Sequence, residues 1–234
     1  MTAWQAGVMM FGRDYMATPL GILAVAPEML TTDAQLWNNT RMTLVDVAIG
    51  LGLGGAAALL VGIALGQAKT LEAALGPYIN GLYATPMLAI LPIFTLWFGF
   101  SEQTRIALVI FSAFPPLAIG AWDGSRAVSK RYLEIADSFG AQRRHVWLGI
   151  AVPASLPYLV AGFRLASGRA LTAAVVVEFL TAVDGLGIYA MTLTTTFRHD
   201  EAVVAIAILS IVGVLLTVGV QKTIEKFLPW YGNM

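Results

Sequence analysis

Residues 44–65 read LVDVAIGLGLGGAAALLVGIAL, and this stretch decides the fold. It carries a single charge, Asp46. Roughly 20 apolar residues at ~1.5 Å each cross the hydrocarbon core of a bilayer as a helix. Outward from it, the same reading applies four more times. Residues 79–100 form an apolar run containing Pro86 and Pro92, and residues 106–122 another with Pro115 and Pro116 near its end. A fourth centres on residues 170–183, contains Glu178, and begins near Tyr158 with Arg164 and Arg169 in its first turns. The fifth is residues 202–220. Proline inside a spanning helix is tolerated where neighbouring helices re-satisfy the freed carbonyls.

Composition agrees. The 234 residues are 58% hydrophobic and 12% charged, and the mean hydropathy is +0.75. A soluble domain carries about 25% charge, so lipid must be the solvent for much of this surface. The formal net charge is zero, which argues against the basic face that nucleic acid requires. The absence of cysteine excludes disulfides, thiolate metal sites and cysteine nucleophiles. There are only two histidines, His145 and His199, far apart in sequence, so a His-rich metal site is not expected. The N-terminus shows no basic stretch followed by an apolar core, so no cleavable signal peptide is expected. Residues 4–11 are too short to span, and residues 15–30, broken by Pro19 and Pro27, read as a loop or a surface helix.

Five spans alternate the connections between two sides. Segments 67–78, 122–169 and 221–234 hold ten of the fourteen Lys and Arg. Segments 1–43, 101–105 and 184–200 hold the other four. The positive-inside rule puts the first set, and with it the C-terminus, in the cytoplasm.

Segment 122–169 is the informative one. Val128, Tyr132, Ile135, Ala136 and Phe139 recur at helical spacing, while Lys130, Arg131, Glu134, Asp137 and Ser138 fall elsewhere. The spacing predicts a short amphipathic helix stopped by Gly140, then a second helical stretch from Ala141 through Trp147 that ends before Pro153. The apolar stripe of this hairpin packs on the protein's own helices, lies on lipid headgroups, or docks on a partner.

Glu134-Ile135-Ala136, three residues, Gly140, nine residues and Ile150-Ala151-Val152-Pro153 resemble the EAA loop of ABC importer permeases. That pattern is Glu-Ala-Ala, three residues, Gly, nine residues, Ile-x-Leu-Pro; Ile135 and Val152 are the two departures. Leu91-Pro92, Leu96-Trp97-Phe98-Gly99, Leu156-Pro157-Tyr158, Gly162-Phe163-Arg164, Val177-Glu178, Gly185-Leu186-Gly187 and Leu228-Pro229-Trp230 are similar to the nitrate/sulfonate/taurine branch. The resemblance covers residues 17–230. It implies an all-α polytopic membrane bundle of the type I ABC importer permease fold, in the bacterial inner membrane. It also implies that Glu134, Ile135, Ala136, Gly140, Ile150 and Pro153, with the apolar face of Val128, Tyr132 and Phe139, dock on a separate ABC ATP-binding subunit. The other implied partners are an extracytoplasmic solute-binding protein and a second permease chain, a homodimer by default. No cofactor is expected in this chain, ATP being bound by the partner. The transported solute is left open among nitrate, sulfonates, taurine, bicarbonate, pyrimidine precursors and similar small molecules. Family members usually have six spans; Thr18-Pro19 looks like the segment after a first span. The expected layout is therefore an N-terminal segment 1–43 lacking that span, a permease domain 44–220 with its coupling loop at 122–157, and a cytoplasmic tail 221–234. Either the native start lies upstream or this is a five-span variant.

Other patterns are weaker. Gly50, Gly52 and Gly55 fit G-x-G-x-x-G, but no strand precedes them. Gly50/Gly54 and Gly62/Gly66 read better as small-residue helix packing. No segment fits a P-loop, so ATP hydrolysis by this chain is not expected. Glu178 and Asp46 lie in spans and are candidates for the translocation path. For Glu178 a lining or gating role is favoured over a salt bridge; Asp46, near the outer end of its span, is better explained by simply reaching water. Arg164 and Arg169 read as snorkelling anchors. Thr192, Thr194, Thr195 and Thr196 read as an external loop in preference to a polar mouth. The alternatives to a permease are an ion-coupled secondary transporter or channel, which needs no cytoplasmic hairpin, and an intramembrane enzyme, for which the spans offer too few convergent His, Asp or Ser groups.

Overall fold

A computed structural model describes residues 16–128, 134–136, 138–146, 149–150 and 152–227, and their side chains except those of 143, 152, 220, 221 and 223–227. Every regular element with assigned bounds is helical: α1 Pro19–Thr32, α2 Ala34–Gln67, α3 Lys69–Ala84, α4 Met87–Phe98, α5 Glu102–Arg126, α6 Arg143–Val146, α7 Val152–Thr181, α8 Leu186–Thr195 and α9 His199–Phe227. Four of them, α2, α5, α7 and α9, are long and apolar enough to cross a membrane, and the bent pair α3–α4 makes a fifth if it counts as one span.

The N-terminal region is more regular than its prolines suggest. Thr18 caps α1 by accepting from the Gly21 N–H at 2.9 Å, and Pro19 takes the first turn, where its missing N–H costs nothing. The Thr18 N–H donates to Asp200 Oδ1 at 2.6 Å, tying the start of α1 to the start of α9. So residues 19–32 are a surface helix and not a loop. Asp33 then caps α2 through the Leu36 N–H at 3.0 Å. That cap starts the first long helix at Ala34, well before the apolar run at 44, and α2 is unbroken across residues 43 and 44. A sequence reading keyed to hydropathy misses these polar first turns.

The predicted second span is not one straight helix. Thr85 takes an extended conformation (φ −71°, ψ 128°) as the residue before Pro86, and α3 and α4 meet at 98°. Pro92, by contrast, stays inside α4, which ends at Gly99 with φ 72°. Pro115 and Pro116 also stay inside α5, which runs on to Arg126.

The core is a layer of α2, α5 and α7 with α5 between the other two. Leu51, Ala58, Leu108, Ala118, Ala170 and Val177 are among its buried side chains. Lipid tails are as apolar as leucine, so close backbone approach has to supply the attraction. The glycines do this. A Cβ on Gly62 would meet Ala121 Cβ at 2.5 Å, and one on Gly54 the Ile110 carbonyl at 3.2 Å. Gly50 and Gly66 face α5 in the same way, whereas Gly52 has nothing within 4 Å. The packing reading of Gly50/Gly54 and Gly62/Gly66 therefore holds, and the G-x-G-x-x-G match lies inside α2 with Gly52 turned away from the other two. On the far side of α5, Gly120 meets Gly162 of α7, a Gly120 Cβ lying 3.1 Å from Gly162 Cα. A second apolar cluster joins α1, α8 and α9 through Met29, Leu186, Leu193, Ala205 and Ile208. Outward-facing leucines such as Leu60, Leu96 and Leu215 are 73%, 83% and 63% exposed, as a lipid-facing surface requires.

Candidate functional site: a buried ionic latch and an exposed hairpin

Glu178 stands one turn before the end of α7 and is fully buried. Ala182, with φ 53°, closes α7 in a left-handed turn, its N–H donating to the Glu178 carbonyl at 3.1 Å. The chain thereby doubles back and α8 begins over the Glu178 carboxylate. The Gly187 N–H donates to Oε2 at 2.6 Å, placing the carboxylate at the positive end of α8. Thr43 Oγ1 donates to Oε1 at 2.6 Å and accepts from the Leu186 N–H at 2.9 Å. Gly185 and Gly187 permit this approach: a Cβ at Gly185 would overlap the carboxylate, and one at Gly187 would lie 2.8 Å from Oε2.

Arg105, in the first turn of α5, completes the cluster. Its guanidinium donates to Glu178 Oε1 at 2.9 Å and to the Asp184 carbonyl at 2.5 Å, and pairs with Asp46 of α2. Arg105 is 2% exposed and Asp46 1%. Asp46 thus does not simply reach water, as its place near a span end suggests; Arg105 covers it. Beside the cluster lies a cavity of about 660 Å³ lined by Arg41, Asp46, Glu102, Arg105 and Asp184 among others. Glu178 is not among the lining residues.

Two carboxylates and one guanidinium taken out of water are costly unless each lone pair and proton is engaged. Here the partners of Glu178 and Arg105 come from α2, α7, α8 and the turn at Asp184, so the cluster latches several segments at one end of the bundle. Among the described residues, no group of three or more His, Asp or Glu could hold a metal. Sequence reading missed Arg105 and Thr43. The signal was present: two carboxylates inside spans demand a cation, and Arg105 is a basic residue at the same end.

The other end carries the hairpin. Residues 134–136 are helical, with the Ser138 hydroxyl donating to the Glu134 carbonyl at 2.8 Å. Gly140 has φ 66°, and the Ala141 N–H reaches back to the Ala136 carbonyl at 2.9 Å, a Schellman closure around a left-handed glycine. Glu134 and Gly140 are exposed. So are Ile135 at 46% and Phe139 at 86%. Ala136, Val128, Ile150 and Pro153 are half-buried. Of the second stretch, α6 covers Arg143–Val146. Tyr132, Lys130, Arg131, Asp137 and Trp147 lie outside the described residues. Nearby, Glu72 pairs with Arg126, whose guanidinium also lies 5.3 Å from the Trp122 ring centroid.

The remaining sequence candidates separate. Arg164 is exposed on α7. Arg169 is not at a helix end: it lies in the interior of α7, with Cζ 4.0 Å from the Tyr83 ring centroid. Thr192, Thr194, Thr195 and Thr196 are not a loop. They belong to α8 and its C-cap, and each hydroxyl bonds a carbonyl of its own helix.

A bundle of long, outwardly apolar helices, with charges latched internally at one end and an exposed glycine turn at the other, is the build of a multi-pass membrane protein. Residues 50–228 match the family described as "Binding-protein-dependent transport system inner membrane component", and the chain belongs to that family: it is an ABC importer permease. It is 29% identical over 230 residues to the formylaminopyrimidine transport permease protein ThiX of Halalkalibacterium halodurans, covering 98% of this chain and 92% of that one. It is 29% identical to the taurine transport system permease protein TauC of Escherichia coli, covering 91% and 78%. With the nitrate import permease protein NrtB of Synechococcus elongatus the identity is 27%, covering 100% and 85%. The fold is that of a chain in the inward-facing MetNI methionine ABC transporter, with TM-score 0.69, 16% identity, and 82% and 95% of the two chains covered. A chain of an amino acid ABC transporter gives TM-score 0.64 at 16% identity, covering 86% and 96%.

Proposed function

We propose that this chain forms the membrane path for a small solute of the kind carried by its taurine, sulfonate, nitrate and formylaminopyrimidine relatives, and that a separate ATPase drives it through the hairpin at residues 134–153. The observation that carries this reading is the left-handed turn at Gly140, which holds the Ile135 and Phe139 side chains exposed on one short helical segment. An uncovered apolar face beside a charged flank is what a groove on a soluble partner can bury. Two copies of the chain build the path, and a binding protein delivers the solute at the end where Arg105, Asp46 and Glu178 cluster. The hairpin end and the C-terminal tail, which share most of the Lys and Arg, face the cytoplasm of a cell whose inner membrane holds the transporter. Asp46 contributes to the outer mouth of the path, and Glu178 holds the helix ends that shape that mouth.

The test is co-expression with an ABC ATPase and a solute-binding protein from the same genome, affinity purification through this chain, and uptake by proteoliposomes loaded with ATP. The ATPase should co-purify, and uptake should need all three components. Uptake by this chain alone, driven by an ion gradient, would instead make it a secondary transporter.

A further inference from the structure

The bend between α3 and α4 opens a second cavity, separate from the latch. Its volume is about 380 Å³, and Tyr83, Thr85, Met87, Ser112, Arg169 and Thr172 are among its lining residues. Arg169 precedes Glu178 by nine residues on α7, roughly 14 Å along the helix axis, so the cavity lies well inside the bundle from the latched end. Three independent features converge there. Arg169 stacks on the Tyr83 ring and donates one N–H to the Tyr83 carbonyl at 3.3 Å. It has no other partner among the described residues, and no carboxylate lines the cavity. Ser112 is 5% exposed, and its hydroxyl is buried with no hydrogen-bond partner among the described residues. Finally, Pro86 precedes α4, no side chain caps that N-terminus, and both Pro86 and Met87 line the cavity, which places the positive end of the helix at its wall.

An intramembrane guanidinium without a counter-ion is expensive. A buried hydroxyl without a partner costs about 1–3 kcal/mol. A broken helix aiming its N-terminus into a cavity is a standard way to hold an anionic group at membrane depth. All three costs are relieved by one occupant: a small anion with an oxygen-bearing head. The guanidinium takes two of its oxygens side by side, as it does any planar or trigonal oxyanion. The Ser112 hydroxyl and the α4 N–H groups supply the remaining donors.

We infer that the cavity formed by Arg169, Ser112 and the N-terminus of α4 is the membrane binding site for the transported solute, and that the solute is a small oxyanion, a sulfonate or nitrate. The inference rests on the permease reading above, and it separates among the solutes of the relatives: an uncharged pyrimidine leaves Arg169 unpaired. The stack on Tyr83 fixes the guanidinium plane, so that binding does not first have to order a long side chain.

The experiment uses the full transporter, with its ATPase and binding protein, in liposomes. Uptake of taurine, nitrate and methanesulfonate is measured beside that of an uncharged aminopyrimidine. The parent should carry at least one of the oxyanions and not the neutral compound. Arg169→Gln should lower that uptake roughly tenfold or more, with Arg169→Lys intermediate. Ser112→Ala, too small a change to disturb folding, should raise KM several-fold. ATPase co-purification should be retained in all three variants. Failure of the parent to co-purify with the ATPase would refute the coupling proposed above and not the site. Three results overturn the site: a parent that carries only the neutral compound or none of the four, Arg169→Gln transporting like the parent, or KM unchanged in Ser112→Ala. So does an Arg169→Gln effect that appears in phosphatidylglycerol liposomes and vanishes in phosphatidylcholine, since the guanidinium would then be holding a lipid headgroup.

Discussion

Arg105 and Glu178 are 73 residues apart in sequence and 2.9 Å apart in space, and both are buried. Removing one member of a buried ion pair strands the other and costs about 3–5 kcal/mol. Arg105→Met should therefore lower the thermal midpoint of the purified chain in detergent well below the parent's. Combining it with Glu178→Gln should cost less than the sum of the two single changes, because Glu178 is then no longer left as an unpaired buried charge, although Asp46 still is. Additive losses would mean that the two groups do not interact.

The α2–α5 crossing gives a matched pair of glycine substitutions. Gly62→Leu places a side chain where Cβ alone already lies 2.5 Å from Ala121 Cβ, and overpacking of this kind costs about 1–3 kcal/mol. Gly52→Leu on the same helix faces open space and should be neutral or stabilising by up to about 1 kcal/mol. Thermal unfolding of both variants, measured side by side, checks the assignment of faces.

At the hairpin, Gly140 has φ 66°, and a Cβ there would meet nothing within 4 Å, so backbone strain alone acts on a substitution. Gly140→Val should strain the turn by roughly 1–2 kcal/mol or more and re-aim Ile135 and Phe139. Membrane abundance should stay normal while ATPase co-purification weakens, and Glu134→Lys should do the same by reversing an exposed charge. Both variants assembling and transporting like the parent would return the hairpin to a packed or headgroup-bound role.

Asp33 links the cap of α2 to α8, accepting the Tyr189 hydroxyl proton at 2.5 Å. Burial alone would raise the Asp33 pKa. The Tyr189 hydrogen bond, the backbone N–H groups of Leu36 and Gln35, and Arg198 together outweigh it and hold the carboxyl below its ordinary value. A lowered folded-state pKa means stability that is present above the unfolded value, near 4, and lost as pH falls through the folded one. Burial and Asp33 push the Tyr189 phenol up, so it keeps its proton through neutral pH. Tyr189→Phe should cost about 1 kcal/mol, a loss constant between about pH 5 and 8 that changes only below roughly pH 4. Thermal melts across that range provide the measurement.

The spans and the turn at Gly140 were legible because each is written locally. Hydropathy over about 20 residues needs no partner to be read. Gly140 announces a left-handed stop, and the spacing from Glu134 to Pro153 lies within one continuous segment. Helix ends were legible only in part. The polar first turns of α2 and the conversion of residues 186–195 to helix depend on caps and on packing against α9, which hydropathy does not report.

The sequence by itself determined a membrane-embedded helical chain with a turn at Gly140, because solvent preference and backbone turns are properties of neighbouring residues. Only the tertiary structure decided who pairs with whom. Asp46, Arg105 and Glu178 sit on three different helices, and whether each faces lipid, water or another charge depends on how α2, α5 and α7 are rotated against one another. That rotation is chosen by close contacts such as Gly62 on Ala121 and Gly120 on Gly162, sums of small attractions between residues far apart in the chain. The same contacts leave Ser112 and Arg169 facing the bend at Pro86, a juxtaposition that no single segment spells out.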